Sequence, residues 1–199
     1  MVASLTFAMT RSLDEATQLY GEAYGAEGVP ISSEKGQALG TASTVSLIRG
    51  LEWMAEMAAY LGYTSRATSY RLQANLSRQA IDTLLWNETG GYYAGTIGQD
   101  GYDLTDIALV LLAGIGTLGR RASFVEKLEA LRLPAGYLNG TRFTDTPAIV
   151  DPYYASFLLE GLAVANKTAL AQDLLDRTWG PMVRKDANYT GAYWEHVVR

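Results

Sequence analysis

Apolar positions recur along this chain at spacings of three and four residues and are interrupted by glycines, a rhythm that predicts helices almost throughout. Leu47, Leu51, Met54, Ala58 and Leu61 carry it through a helix from Gln37 to Leu61, which Gly62 stops as a left-handed residue just past the end. Upstream, a first helix is expected over Leu5 to Tyr24, closed by the glycine-rich run Gly25 to Pro30. Thr64 or Ser65 caps a third helix that continues to Trp86. Asn87 to Gly91 then reads as a turn, and Tyr92 to Gly101 as a loop or short hairpin. Asp103 or Thr105 caps a fourth helix with Leu104, Ile107, Ala108, Leu111, Leu112 and Ile115 on one face. A fifth spans Arg120 to Leu133 and breaks at Pro134, and Ala135 to Val150 is a long loop. Asp151-Pro152, a carboxylate at the cap and proline at the first position, opens a sixth helix to Asn166. Thr168 to Trp179 is a seventh, and Gly180 to Arg199 reads as a loop and the start of another helix.

A weak repeat runs through this layout. Ile48-Arg49-Gly50-Leu51, Leu112-Ala113-Gly114-Ile115 and Leu159-Glu160-Gly161-Leu162 each set a glycine at a similar point of a helix, where a small residue lets a neighbouring helix come close. Helical hairpins repeating in this way imply an α-solenoid or an α/α ring. The long aromatic connections Tyr92-Tyr93, Tyr102, Tyr137 and Tyr153-Tyr154 favour a ring with a pocket at one end. The expectation is one all-α domain over residues 1–199, its helical hairpins forming a partial (α/α) toroid.

Composition narrows the function. Apolar residues make up 48% of the chain and charged residues 19%, as in a folded globular protein. The net charge is -5 and the sixteen Lys and Arg are scattered without a basic block, so nucleic acid is not an expected partner. No apolar run approaches the length of a membrane span, so no membrane partner is expected either. The chain has no cysteine, which removes thiol nucleophiles and thiolate metal sites. Its one histidine, His196, has no cluster of further ligands about it, so neither a metal nor a cofactor is expected.

All five asparagines, Asn75, Asn87, Asn139, Asn166 and Asn188, stand two residues before a Ser or Thr with no proline between, and so form N-glycosylation sequons. With Ser and Thr at about 15% of residues, chance would produce this roughly once in ten thousand sequences. The expectation is a secreted glycoprotein, or the descendant of one. Met1 to Thr10 has neither the basic start nor the apolar run of a signal peptide.

Several segments carry a family resemblance. Leu84-Leu85-Trp86-Asn87-Glu88-Thr89-Gly90-Gly91-Tyr92-Tyr93, the helix holding Asp106 to Gly114, Val150-Asp151-Pro152-Tyr153-Tyr154-Ala155-Ser156-Phe157, Trp179-Gly180-Pro181-Met182 and Thr190-Gly191-Ala192-Tyr193-Trp194-Glu195 occur in this order. That order resembles the α-L-rhamnosidase-like six-hairpin glycoside hydrolases, fungal ones in particular. The chain resembles the C-terminal part of their catalytic toroid, a truncated or fragmentary domain.

The resemblance implies a sugar or other small-molecule substrate and an inverting reaction, with Glu195 as the general base. Inversion needs a carboxylate beside a water on one face of the sugar and a protonated acid about 6.5–9.5 Å away across it. Upstream, where the family carries its acid, Ile31 to Gln37 does not match the pattern; Glu34 there is either a substitute or a solvated cap. Asp103, Asp106 and Asp151 are helix caps or sugar ligands. Tyr92, Tyr93, Tyr153, Tyr154, Tyr193 and Trp194 either stack on substrate or pack the core. His196 is a partner of Glu195 or an exposed side chain. Two further readings stay open: a shortened relative whose aromatic pocket acts on an apolar secondary metabolite, and a non-catalytic carbohydrate-binding module, two copies of which would complete the ring.

Overall fold

The computed structural model describes residues 13–21, 39–141, 149–184, 192 and 197–198. They form two compact units. The first takes in the described residues up to Asn87 together with Tyr93–Gln99, and the second takes in Glu88–Tyr92 and the described residues from Asp100 onward.

In the first unit, α1 (Thr41–Tyr60) and α2 (Thr64–Leu84) form an antiparallel hairpin. The contact face of α1 carries Val45, Ile48, Leu51, Met54, Ala55 and Ala58, all buried, and that of α2 is mostly small, with Ala67, Ala74, Ser77 and Ala80 beside Ile81. The turn is the expected one. Gly62 takes φ +79°, and the amides of Gly62 and Tyr63 return to the carbonyls of Ala59 and Ala58 at 3.0 and 2.8 Å. Neither Thr64 nor Ser65 caps α2. Its N-cap is Tyr63, which makes no side-chain cap bond.

The first predicted helix is overturned over its described part. Residues 13–21 form a tight loop closed by an antiparallel bridge between Leu13 and Tyr20. The cause is Asp14, whose carboxylate accepts from both the amide and the hydroxyl of Thr17 at 2.8 and 2.9 Å and so diverts the backbone from a helical path. Gln18 then adopts φ +62°. The loop inserts Leu19 and Tyr20, both fully buried, against the hairpin, where the Tyr20 amide donates to the Thr44 hydroxyl at 2.9 Å and Ser77 donates to the Gln18 carbonyl at 2.9 Å.

A short hairpin of β1 (Trp86–Asn87) and β2 (Tyr92–Tyr93) follows α2. The second unit then adds α3 (Leu104–Ala113), α4 (Leu118–Glu126), a single turn α5 (Leu128–Leu131), β3 (Arg132–Leu133) paired with β4 (Gly136–Tyr137), β5 (Ile149–Val150), α6 (Pro152–Val164), α7 (Thr168–Thr178), the short α8 (Gly180–Val183) and β6 (Val197–Val198). The fifth predicted helix is therefore divided. It bends at Lys127 and gives way to a hairpin whose turn holds Pro134, a residue with no amide to donate.

Among described residues the core of this unit is α3 packed on α6. Leu104, Ile107, Ala108, Val110 and Leu111 meet Pro152, Ala155, Leu158, Gly161 and Leu162, all buried. The three repeat glycines differ in role. A β-carbon on Gly161 would lie 2.8 Å from the carbonyl oxygen of Ala108, so this glycine does permit close approach of helices. Gly114 instead ends α3 with φ +63° and has nothing near its missing side chain, while the Arg121 guanidinium binds the carbonyls of Gly114, Ile115 and Gly116 that the helix leaves open. Gly50 lies within α1. No described helix is long and apolar enough to cross a membrane.

Candidate active site

Two of the carboxylates singled out in the sequence start neighbouring helices. Of the two cap candidates, Asp103 and Thr105, Asp103 is the N-cap of α3, and Asp106 completes a capping box by accepting the Asp103 amide at 2.8 Å. Asp151 is the N-cap of α6 and accepts the Tyr153 amide at 2.7 Å, with Pro152 at the first helical position. Because α3 packs on α6, the sequence's choice of caps also settles which helix ends carry acid. Asp106 is fully buried and built into the cap, whereas Asp103 and Asp151 are half-buried.

A backbone ladder joins the two caps. The Asn139 carbonyl accepts the Leu104 amide at 2.7 Å, and the Asn139 amide donates to the Ile149 carbonyl at 3.1 Å. On either side of it Gly140 bridges Asp103 and Leu138 bridges Val150. A β-carbon on Gly140 would lie 2.9 Å from the Tyr102 carbonyl oxygen, which is backbone, and would press on the Asp103 carboxylate. Thr141 holds the approach to Asp103 by exchanging hydrogen bonds with both backbone groups of Tyr102. The ladder extends to the C-terminal region, where β6 pairs antiparallel with β5, Val197 opposite Val150 and Val198 opposite Ile149. The residues that lead into Asp151 are thus hydrogen-bonded to the two that follow His196. Residues 138–141 fall within the stretch Ala135 to Val150, which the sequence predicts as a long loop rich in Gly, Thr and Pro. The Asn139-Gly140 pair was the only signal of a tight crossing there.

The aromatic candidates separate by burial. Tyr93 is fully buried, packs on Trp86 with ring centroids 4.8 Å apart and donates to Asp82 at 2.5 Å, so it belongs to the core of the first unit. Tyr102 and Tyr137, from the same predicted aromatic loops, are also core residues. Tyr92 is half-buried, packs 5.0 Å from Tyr102 and donates to Asp100. Tyr153 alone among these is strongly exposed, at 66%, and with Tyr154 and Phe157 at 5.5 and 5.2 Å it forms an aromatic face on the first turns of α6, next to Asp151. A carboxylate beside an exposed ring suits a sugar, whose hydroxyls donate to the acid and whose C–H face stacks on the aromatic. Glu195, Trp194, Tyr193 and His196, together with Glu34 and Asn188, lie outside the described residues.

One charged cluster was not foreseen. Asp173 on α7 accepts from Arg132 at 2.6 and 3.2 Å, from Arg177 at 2.8 and 2.9 Å and from the Tyr137 hydroxyl at 2.7 Å, tying the β3–β4 hairpin to α7. Burial pushes its carboxyl up, but the three donors outweigh burial and hold it well below the ordinary carboxylate range. Burial and the bond to Asp173 together push the Tyr137 phenol up. Its partners are all taken from within the unit, so the cluster is a clasp. The Asp173/Arg177 spacing of four was its only trace in the sequence.

No protein-family model matches the sequence, and no curated protein matches it. Solved structures do. A GH78 family rhamnosidase of Bacillus sp. GL1 is similar at 22% identity over 97% of this chain and 19% of its own, with a TM-score of 0.67. A rhamnosidase from Klebsiella oxytoca is similar at 20% identity over 97% of this chain and 34% of its own, with a TM-score of 0.69. A sialidase is similar at only 9% identity, over 98% of this chain and 21% of its own, with a TM-score of 0.77. The chain therefore spans about a fifth to a third of the length of these structures. Enzymes of different substrates share the likeness, so it concerns the scaffold and leaves the sugar open. The protein is all-α, with the helical-hairpin fold of the six-hairpin, (α/α)-toroid glycosidases.

Proposed function

We propose that this chain is part of the sugar-hydrolysing apparatus of a secreted α-L-rhamnosidase-like enzyme, acting on terminal α-L-rhamnosyl or related bonds by inversion. The observation that carries the reading is the convergence of the Asp103 and Asp151 helix ends, the exposed Tyr153 face and the strand that follows Glu195–His196 on one backbone ladder. In this reading Glu195 removes a proton from water as the water attacks the anomeric carbon. The C–O bond to the leaving group breaks, and a protonated acid across the ring delivers a proton to the departing oxygen. Asp103 and Asp151 accept sugar hydroxyls, and Tyr153 offers a stacking face. The purified protein should release nitrophenol from an aryl α-L-rhamnoside, and Glu195→Gln should lower kcat at least a hundredfold with little change in KM. Turnover that survives Glu195→Gln would favour a repurposed aromatic pocket acting on a non-sugar substrate.

Self-association is a second proposal. On the outer face of α1 and the turn after it, Trp53, Met57, Tyr60, Leu61 and Tyr63 are exposed by 60, 42, 91, 64 and 56%. Met57, Tyr60 and Leu61 share an open depression with Glu56. Side chains of this size present on the order of 600 Å² per copy, so a pair would bury about 1,200 Å², at the lower end of stable interfaces. Light scattering should show a dimer for the native chain and a monomer for Tyr60→Glu. A native monomer at high micromolar concentration removes the proposal.

A further inference from the structure

The five sequons are not equivalent once the chain is folded, and the geometry points to a selective pattern: we propose that Asn166 and Asn75 carry N-linked glycans and that Asn139 does not. This rests on the secretory reading of the sequence and not on the sugar-hydrolysing one.

Asn166 is exposed in the connection between α6 and α7, with Lys167 and Thr168 exposed beside it. Its backbone is held at φ +55°, with the Asn166 amide on the Ala163 carbonyl at 3.1 Å and the Lys167 amide on the Leu162 carbonyl at 2.8 Å. That conformation suits asparagine, which tolerates the left-handed region better than most residues. The backbone bonds fix the turn without the side-chain amide, so Nδ2 can carry a sugar at no cost to the fold. Asn75 is exposed on α2. The third residue of its sequon, Ser77, is buried and bound to the Gln18 carbonyl in the folded state, which leaves the acceptor asparagine outside and the hydroxyl inside.

Asn139 stands in the opposite situation. It is half-buried, its Oδ1 is enclosed, and its backbone is the crosspiece between Asp103 and the β5 strand. A glycan on this half-buried amide would have to be accommodated beside the ladder that holds the two caps together. Asn166 lies at the other end of α6 from Asp151, a helix of 13 residues and therefore about 20 Å long, so a glycan on it leaves that end of the unit open.

The test is the full chain, routed by a fused leader through the secretory pathway of a eukaryotic host, purified and mapped by peptide mass spectrometry after glycan release in heavy-oxygen water by a peptide-N-glycosidase, which hydrolyses the asparagine side-chain amide to aspartate. The expected result is a heavy-oxygen aspartate at positions 166 and 75 and unmodified asparagine at 139. Thr168→Ala, which leaves Asn166 itself in place, should remove one glycan from the intact mass, and Asn166→Gly, which also accepts the positive φ, should remove the same glycan without lowering Tm. Glycan on Asn139, or an unmodified Asn166 or Asn75 in secreted folded protein, overturns the proposal. Failure of the hydrolase reading would leave the peptide map unchanged.

Discussion

Gly161→Val is expected to destabilise the second unit by about 3 kcal/mol, the upper end of what overpacking a closed helix contact costs. The missing β-carbon would sit 2.8 Å from the Ala108 carbonyl oxygen and 3.3 Å from both the Ala108 Cα and the Leu111 Cβ. The first of these is backbone in the middle of α3, which no rotamer change can move aside, so α3 and α6 must separate along their shared seam. Leu104, Ile107, Leu158 and Leu162 line that seam and would all lose contact. Gly161→Ala should cost less, about 1 kcal/mol, because removing a glycine from a helix interior recovers close to 1 kcal/mol of propensity. Gly114→Ala serves as the control. Its space is empty, and only the φ of +63° resists substitution, at about 1 kcal/mol. Urea denaturation of the three variants should place Gly161→Val as the least stable by a clear margin. Equal losses for Gly161→Val and Gly114→Ala would mean that the α3–α6 contact yields to a larger side chain.

Those glycines also mark how far the sequence could be read. Three tetrapeptides with glycine in the same place look alike as strings, and the rule that small residues admit a neighbouring helix applies to all of them. It holds at Gly161, where α6 crosses α3. It does not hold at Gly114, where the chain uses the same residue to end a helix. The difference lies in which helix comes near, and periodicity carries no information on that. Over its described part, residues 13–21, the first predicted helix gives way to a loop for a local reason that the sequence holds. Asp14 with Thr17 three residues on is a competent turn former, but the apolar spacing around it outweighed the cue. Caps were the most legible feature of the candidate site, because a cap is a contact between residues two or three apart. Asp103 with Asp106, and Asp151 before Pro152, could both be named from the string. Their convergence could not, because it depends on Asn139 joining segments separated by tens of residues. The aromatic candidates divided for the same reason. Nothing local distinguishes Tyr93, which closes a core against Trp86, from Tyr153, which stands in solvent beside a carboxylate.

The Asp173 clasp gives the other large effect, and pH isolates it. Asp173→Asn keeps the shape of the side chain but leaves the guanidinium groups of Arg132 and Arg177 facing a neutral amide. The loss expected at pH 7 is about 2 kcal/mol, held to the lower range for hydrogen bonds to charged groups because these side chains retain 22 to 35% exposure and feel salt. The carboxyl titrates below its ordinary value in the folded protein, so the unfolded chain takes up its proton first as the solution is acidified. The stabilisation is therefore fully present above the unfolded value near 4 and drains away as pH falls from about 5 towards the depressed folded value. Native protein should lose stability across that window more steeply than Asp173→Asn, and the gap between the two curves should narrow as pH approaches 2. The other carboxylates contribute equally to both proteins and cancel in the difference. Adding salt at pH 7 should narrow the gap as well. A gap that stays constant from pH 7 to pH 2 would show that the substitution acts through packing of the β3–β4 hairpin on α7, with the charge on Asp173 contributing nothing.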